Sequence, residues 1–330
     1  MFIIENYSTA IIFCFITMLC WGSWANTQKL TKDNWRFELF YWDYVIGILL
    51  TSIIFAFTLG SIGEGGRSFL DDFHQADNEN IQSALLGGVI FNIANILLGA
   101  AISIAGMSVA FPVGIGLALV IGVVVNYLDY PMGNSTLLII GVLLIVAAIL
   151  LNANAYRKMS SATSVSTKGL VLSVISGSLM GLFYKYVANS MFPDFNYPIE
   201  GKLSPYTAVV FFSVGIFASN FILNTLLMKR PFLGSPVSYS DYFDGSSRNH
   251  LMGILGGMIW CIGMSFNIIA SGKAGPAISY GLGQGATIVA AIWGIFIWKE
   301  FKDAPKGTNT ILNIMLLCYL IGLGLLIAAK

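Results

Sequence analysis

Residues 87–116 read GGVIFNIANILLGAAISIAGMSVAFPVGIG, and residues 256–285 read GGMIWCIGMSFNIIASGKAGPAISYGLGQG. The two stretches align at a constant offset of 169 residues, and five glycine positions coincide. Six glycines in one window of thirty and eight in the other would give about 1.6 coincidences by chance. Both stretches are strongly apolar, so the match indicates an internal duplication of apolar helical units.

The composition of the chain excludes a water-soluble surface. Of its 330 residues, 56% are hydrophobic and 10% are charged, with a mean hydropathy of +0.78. A soluble domain carries about 25% charged residues, whereas a lipid bilayer can face apolar side chains. The net charge of +1 provides no basic face, so no nucleic-acid partner is expected. The cysteines show neither metal-site nor disulfide spacing and are predicted to be buried hydrophobes: Cys14, Cys20, Cys261 and Cys318.

Ten apolar runs are long enough to cross the bilayer, which takes about 20 helical residues. The chain is therefore predicted to be an all-α polytopic membrane protein with ten transmembrane helices. The runs lack the two-residue alternation of membrane strands, and the polar segments 61–80, 191–204 and 229–250 are predicted to be surface loops. Short turns are expected near Gly106 and near residues 272–275. The predicted spans cover residues 9–29, 37–60, 82–104, 107–127, 135–154, 169–190, 205–228, 251–271, 276–298 and 309–329.

The duplication divides the ten spans into two repeats of five, residues 1–160 and 161–330. Because five is odd, the two repeats must cross the membrane in opposite senses, as inverted repeats. Apart from Lys185, four Lys and Arg residues lie in the loops on one side and twelve on the other. The positive-inside rule places the twelve in the cytoplasm and both termini outside an inner or plasma membrane. Inverted repeats are typical of secondary transporters with a site near the membrane midplane.

The stretch from Cys20 to Gly47, CWGSWANTQKLTKDNWRFELFYWDYVIG, and the LDY of Leu128 to Tyr130 are the most distinctive motifs. With the ten-span layout they resemble the drug/metabolite transporter superfamily, and within it the ureide permease family and its bacterial glucose/ribose porter relatives. The resemblance implies a permease for a small neutral polar metabolite, often proton-coupled. It also implies a central cavity lined by spans one, three, four, six, eight and nine. It favours import. It leaves two substrate classes open, a monosaccharide such as ribose or glucose and a ureide or nucleobase.

Amides near the middle of the spans are the first candidates for binding such a solute. Polar side chains in a membrane are costly and should face the bundle interior. Asn92 and Asn95 share one face of the third span and offer donors and acceptors to a neutral solute. The alternative is that they bond across helices and hold the bundle together. Asn267 and Trp260 are the nearest polar and aromatic counterparts in the eighth span.

Aromatic and polar side chains of the first span form a second group of candidates. Trp21, Trp24 and Asn26 lie in its cytoplasmic half. Trp24 fits an interfacial belt equally well, whereas Trp21 lies roughly 12 Å inside the span at about 1.5 Å per residue. A flat indole ring can stack on the apolar face of a sugar or of a planar heterocycle.

Further candidates come from the sixth and ninth spans. Tyr280 and Gln284 are four residues apart and share a helix face, and the glycines around Gln284 allow close approach of a ligand or of another helix. In the sixth span, Tyr184 and Lys185 are further candidates. Lys185 could contact the substrate or supply a fixed positive charge in place of a coupling cation. The alternative is that its side chain extends to the membrane interface.

Asp43, in the second span, is the candidate for proton coupling. Desolvation at that depth favours the protonated carboxyl group, which could bind and release a proton during transport. The alternative is an interfacial carboxylate paired with Arg36 or Lys29. Asp43 and Lys185 are not expected to be partners, because the predicted topology places them at different depths.

Other functional classes fit the sequence less well. An intramembrane enzyme would need a nucleophile and base in the spans, and both histidines, His74 and His250, are predicted to lie in loops. No phosphate-binding loop occurs and no cofactor is expected. A receptor or scaffold would not need an inverted repeat, and an exporter of the same superfamily is the main alternative. The expected partners are a small-molecule substrate, the lipid bilayer and protons, with a monomer and a homodimer both open.

Overall fold

The computed structural model describes residues 1–32, 35–105, 107–159 and 166–330. It contains ten helices that are long and apolar enough to cross a membrane, which confirms the predicted number. We number them as spans 1 to 10. The predicted turn at Gly106 falls outside the described residues. The spans are Tyr7–Lys29, Phe37–Phe57, Asn78–Ala105, Pro112–Asp129, Ser135–Met159, Thr167–Ser190, Pro205–Lys229, Ser247–Ala274, Pro276–Ile297 and Thr308–Ala328.

Several spans begin at a polar residue whose side chain caps the helix. Asn6 accepts a hydrogen bond from the backbone N–H of Thr9 at the start of span 1, and serines do the same before spans 6, 7 and 8. These caps satisfy N–H groups that have no partner within the helix. Ten successive spans alternate in direction. The odd-numbered spans therefore end at one membrane face, which we call face A, and the even-numbered spans end at the opposite face B.

Two spans that were predicted to be continuous contain irregularities. Span 1 consists of a helix Tyr7–Ser23 and a single turn Asn26–Lys29. Span 9 consists of Pro276–Gln284, a turn at Gly285, a second helix Ala286–Ile292 and a π-helical turn Trp293–Ile297. A π-helical turn inside a helix is rare and often lies at a functional site.

The helix contacts follow a pattern that repeats when each span is exchanged for the span five places along. The contact of spans 3 and 6 has its counterpart in the contact of spans 8 and 1. In the same way, the contact of spans 4 and 6 corresponds to that of spans 9 and 1, and the contact of spans 2 and 8 corresponds to that of spans 7 and 3. Spans 5 and 10 pack on each other, where large apolar side chains such as Leu143 and Leu320 stay exposed. The pattern is compatible with the predicted repeat, whose inversion and boundaries stay predictions.

Glycines at matched positions allow the closest helix crossings. A Cβ atom on Gly88 of span 3 would lie 2.0 Å from the carbonyl oxygen of Phe212. A Cβ atom on Gly257 of span 8 would lie 1.9 Å from the carbonyl oxygen of Tyr44. Gly88 and Gly257 are aligned in the duplicated stretches. Both crossings therefore depend on the absence of a side chain at the same position of each stretch.

The three long polar segments contain more structure than the predicted loops. Short helices form at Phe69–Gln75 and Tyr239–Phe243. The buried carboxylate of Asp72 pairs with Arg67 at 3.0 Å and accepts a hydrogen bond from the backbone N–H of Ser204. Among the described residues, β pairing is limited to two isolated bridges, which agrees with the prediction that strands are absent from the spans.

Candidate functional site

Two tryptophans from different halves of the chain stack at the centre of the bundle. The rings of Trp21 on span 1 and Trp260 on span 8 lie 5.8 Å apart with an interplanar angle of 12°. The indole N–H of Trp21 also donates to the carbonyl oxygen of Trp260 at 3.2 Å. Phe91 of span 3 lies on the other side of Trp260, with ring centroids 4.5 Å apart. Spans 1, 3 and 8 thus form one aromatic cluster, to which Phe91 was not assigned from the sequence.

The break in span 9 meets this cluster. A Cβ atom on Gly283 would lie 2.8 Å from Nδ2 of Asn267 and 2.9 Å from the ring of Trp21, so the two side chains pack against bare backbone. Gln284 ends the first helical segment and is buried. Gly285, which follows it, keeps helical backbone angles, and its N–H donates to the carbonyl oxygen of Leu282 at 2.9 Å. The structure therefore brings together Trp21, Trp260 and Asn267 at Gly283, and Gln284 follows Gly283 directly in the chain. We call Trp21, Trp260, Asn267 and Gln284 the central group.

Asn267 supplies the unused polar atom of the central group. Its side-chain N–H donates to the carbonyl oxygen of Ser279 at 2.7 Å, which orients the amide. Its Oδ1 atom is buried and has no donor among the described residues. A buried acceptor without a partner costs free energy, about 1–3 kcal/mol. A hydrogen-bond donor on a bound solute would remove that cost.

The two predicted tyrosines lie beside the central group, but their hydroxyl groups are occupied. Tyr280 donates to the carbonyl oxygen of Met180 at 3.0 Å. The hydroxyl of Tyr184 lies 3.2 Å from that of Ser279. The two rings lie 5.2 Å apart. Both side chains are buried and join span 9 to span 6, so in this conformation they act as packing and positioning groups.

The amides of span 3 are engaged with neighbouring helices. Asn92 accepts a hydrogen bond from the hydroxyl of Tyr41 at 2.9 Å and donates to the hydroxyl of Ser219 at 2.9 Å. Asn95 donates to the hydroxyl of Tyr41 at 3.2 Å. These bonds link spans 2, 3 and 7, which is the interhelical role that the sequence left open. Among the described contacts, neither amide bonds to the central group.

Three other predicted residues lie near the span ends. Trp24 follows the first helix of span 1 and packs on Tyr44, with ring centroids 4.6 Å apart. Asn26 accepts a hydrogen bond from the indole N–H of Trp298 at 2.7 Å. Lys185 pairs with Asp129 at 3.1 Å near face B, and its side chain is partly exposed. The ion pair of Lys185 agrees with the alternative that it extends to the interface.

Asp43 is buried at 1% exposure and is held by two side chains that the sequence did not suggest. Nδ1 of His250 lies 3.0 Å from both carboxylate oxygens, and the hydroxyl of Tyr242 donates to Oδ1 at 2.7 Å. The alternative, pairing of Asp43 with Arg36 or Lys29, is not found, because Arg36 pairs with Glu38 and Lys29 pairs with Glu300. Burial and the neighbouring Asp43 raise the pKa of Tyr242, so its phenol stays protonated and donates.

His250 was predicted to lie in a loop, and the structure corrects this. Ser246 caps a helix that begins at Ser247, so His250 lies in the first turn of span 8. Its imidazole also meets the ring of Trp35 edge-on, with centroids 5.5 Å apart. No sequence signal links His250 to Asp43, because the two residues lie 207 positions apart.

Comparison with known proteins supplies independent information. The family model described as ureide permease matches residues 40–164 and 154–329. Ureide permease 1 of Arabidopsis thaliana is 24% identical over 100% of this chain and 99% of its own length. Probable ureide permease A3 of Vigna unguiculata is 24% identical over 93% of this chain and 99% of its own length.

A bacterial relative and a solved structure extend the comparison. The probable glucose uptake protein GlcU of Staphylococcus aureus strain MRSA252 is 25% identical over 79% of this chain and 83% of its own. One solved crystal structure superposes with a TM-score of 0.64, over 97% of this chain and 96% of its own, at 15% identity. At that identity the superposition shows a shared fold alone.

Proposed function

This chain belongs to the ureide permease family, and from that premise we propose that it carries a small neutral polar metabolite through the central group by alternating access. The family consists of membrane transporters, so the chain is a multi-pass transporter of small polar metabolites and not an enzyme. The substrate, the coupling ion and the direction of transport belong to the proposal. The observation that supports this proposal best is the contact of the Trp21 and Asn267 side chains with the backbone of Gly283.

The chemistry of the central group supports a neutral solute. Two indole rings, two amides and a glycine backbone supply stacking surfaces and hydrogen bonds, and the group contains no formal charge. Parallel indoles suit a ligand with a flat or apolar face, and Oδ1 of Asn267 suits a donor on that ligand. Both a monosaccharide such as ribose or glucose and a ureide or nucleobase meet these requirements. The names of the relatives, ureide permease and probable glucose uptake protein, agree with this pair of classes.

The proposed site is made from both halves of the chain. Trp21 comes from the first half, and Trp260, Asn267 and Gln284 come from the second. Access from alternate sides then follows when the helices around the group shift relative to one another. Tyr184 and Tyr280 position span 9 beside the group through bonds to neighbouring helices. Asn92 and Asn95 are proposed to act on the substrate only through the packing of span 3.

Asp43 is proposed to couple transport to protons, with His250 as its partner. The Asp43 carboxylate is buried, whereas the His250 side chain is 25% exposed, so the imidazole can carry a proton between water and the carboxylate. Both groups lie near face A. We infer that face A is cytoplasmic, as the loop charges suggest, which places both termini outside. Import is favoured because of the resemblance to the family. Export by the same machinery is the alternative.

Solute uptake by the purified protein in liposomes tests the proposal. Labelled monosaccharides, nucleobases and ureides are offered with an inward proton gradient and without ATP. We expect one class to accumulate above the level in protein-free liposomes, and the ionophore that collapses the gradient should abolish the accumulation. A membrane scaffold or receptor would give no uptake of any solute under either condition.

A further inference from the structure

Two ion pairs between helices lie at opposite ends of the bundle. At face A, Nζ of Lys29 at the end of span 1 lies 3.0 Å from Oε1 of Glu300, just beyond span 9. At face B, Nζ of Lys185 near the end of span 6 lies 3.1 Å from Asp129 at the end of span 4. The two positions lie at opposite faces because spans 1 and 9 are odd-numbered and spans 4 and 6 are even-numbered.

Each acidic partner is held by a second donor. The hydroxyl of Tyr156 in span 5 donates to Oε2 of Glu300 at 2.7 Å. At the other face, the side-chain N–H of Asn189 donates to Oδ2 of Asp129 at 3.0 Å. Lys29 also lies 4.6 Å from the ring centre of Trp298. Both carboxylates are therefore fixed by directed bonds.

The two ion pairs correspond to each other in the contact pattern of the fold. When each span is exchanged for the span five places along, the contact of spans 1 and 9 becomes the contact of spans 6 and 4. Both contacts join the first half of the chain to the second. The other ion pairs between Lys or Arg and a carboxylate in the described ranges are local in sequence, two residues apart for Arg36–Glu38 and five for Arg67–Asp72.

Spans 1 and 9, whose ends lie at the face A pair, hold Trp21 and Gln284 of the central group. Spans 4 and 6, whose ends lie at the face B pair, hold no member of it, but Tyr184 next to Lys185 contacts Ser279 of span 9 beside the central group. Between the central group and the face A pair lie the break after Ser23 and the π-helical turn Trp293–Ile297. The indole N–H groups of Trp293 and Trp298 donate to the side chains of Ser23 and Asn26 and join these segments. Opening of face A would therefore break these two bonds while the crossing of spans 1 and 9 at Gly22 stays packed.

We propose that Lys29–Glu300 and Lys185–Asp129 are the two gates of the carrier, and that the cycle opens one while the other stays closed. This inference rests on the proposed function of the central group. Both pairs are partly exposed, with side-chain exposures of 49% and 30% at face A and 35% and 25% at face B. An exposed ion pair adds little net stability, so either gate can open and let water solvate its charges. The Asp43–His250 pair differs from both, because its carboxylate is only 2% exposed.

Thiol labelling tests this without any substrate. Cys14, Cys20, Cys261 and Cys318 are replaced by alanine, and one probe cysteine is introduced at Ser23→Cys or Ser279→Cys. Ser23 lies between the central group and the face A pair, and Ser279 contacts Tyr184 on the side of the face B pair. A membrane-impermeant maleimide is then applied from face A or from face B.

We expect Glu300→Gln to raise labelling at Ser23→Cys from face A several-fold and to lower labelling at Ser279→Cys from face B. Asp129→Asn should do the reverse. Glu38→Gln is the matched control, because it weakens a local ion pair near face A, and it should change neither rate. The proposal is overturned if each gate variant raises labelling from both faces, which would indicate general loosening, or if neither variant changes it. Because labelling needs no solute, failure of the uptake assay would leave this result standing.

Discussion

The indole rings of Trp21 and Trp260 lie parallel, 5.8 Å apart, although the two residues are 239 positions apart in the sequence. The pair joins span 1 to span 8, beside the break in span 9. The two rings border the buried Oδ1 of Asn267, which has no donor among the described residues and could accept a hydrogen bond from a solute.

Trp21→Ala should raise the KM for the transported solute roughly fivefold, because an aromatic contact contributes about 1 kcal/mol beyond its buried area. Trp21→Phe should recover part of the loss. Trp42→Phe is the control, since Trp42 packs on Phe221 and Tyr239 at the edge of the bundle. Initial uptake rates over a range of solute concentrations measure the effect. An unchanged KM in Trp21→Ala would remove the ring from the site.

Asn267→Leu should raise the KM by roughly 5- to 100-fold, since it leaves a buried donor of the solute unpaired at a cost of about 1–3 kcal/mol. The exposed Asn313 in span 10 provides the control as Asn313→Leu. Thermal unfolding in detergent distinguishes a damaged fold from a damaged site. Equal KM values for Asn267→Leu and wild type would show that Oδ1 does not meet the solute.

Gly88→Ala and Gly257→Ala should each lower the free energy of unfolding by about 1–3 kcal/mol, because the added methyl group would overlap a backbone carbonyl. Gly116→Ala is the control, since among the described residues no atom outside its own helical backbone lies within 4 Å of the added Cβ. Thermal unfolding midpoints of the three variants test the comparison. Equal midpoints would show that the two crossings tolerate a side chain and are looser than described.

Asp43→Asn should abolish proton-driven accumulation and leave counterflow largely intact, because the amide keeps the size of the carboxyl group but binds no proton. His250→Gln should slow accumulation and change its dependence on pH, since the imidazole is the proposed route for the proton. Accumulation and counterflow are measured on the same liposomes. Equal loss of both activities in Asp43→Asn would assign Asp43 a structural role.

The fold was largely predictable because the length of each apolar run sets a span, and all ten runs are helices close to the expected bounds. The breaks in spans 1 and 9 were not predicted. The segments around Ser23 and Gly285 are rich in glycine and polar residues, but such residues also occur inside regular spans, so the sequence does not place the deviations.

The site was predictable in part. Trp21, Trp260, Asn267 and Gln284 were predicted as site residues because polar and aromatic side chains are conspicuous inside apolar runs. The structure places Trp21, Trp260 and Asn267 near one another, and the binding role of all four stays a prediction. The partners of the charged residues were not identified. The alternative considered for Asp43 was pairing with Arg36 or Lys29, whereas the structure pairs it with His250 of span 8. Sequence distance is a poor guide to such contacts, because they depend on which helices cross.

The central claim is that the solute binds against Trp21 and Asn267 at the break in span 9. The most direct test is the rise in the thermal unfolding midpoint caused by a transported solute, compared between wild type, Trp21→Ala and Asn267→Leu. We predict a clear rise for the wild-type protein at saturating solute and a much smaller one in both variants at the same concentration. A full rise in both variants would place the binding site elsewhere in the bundle.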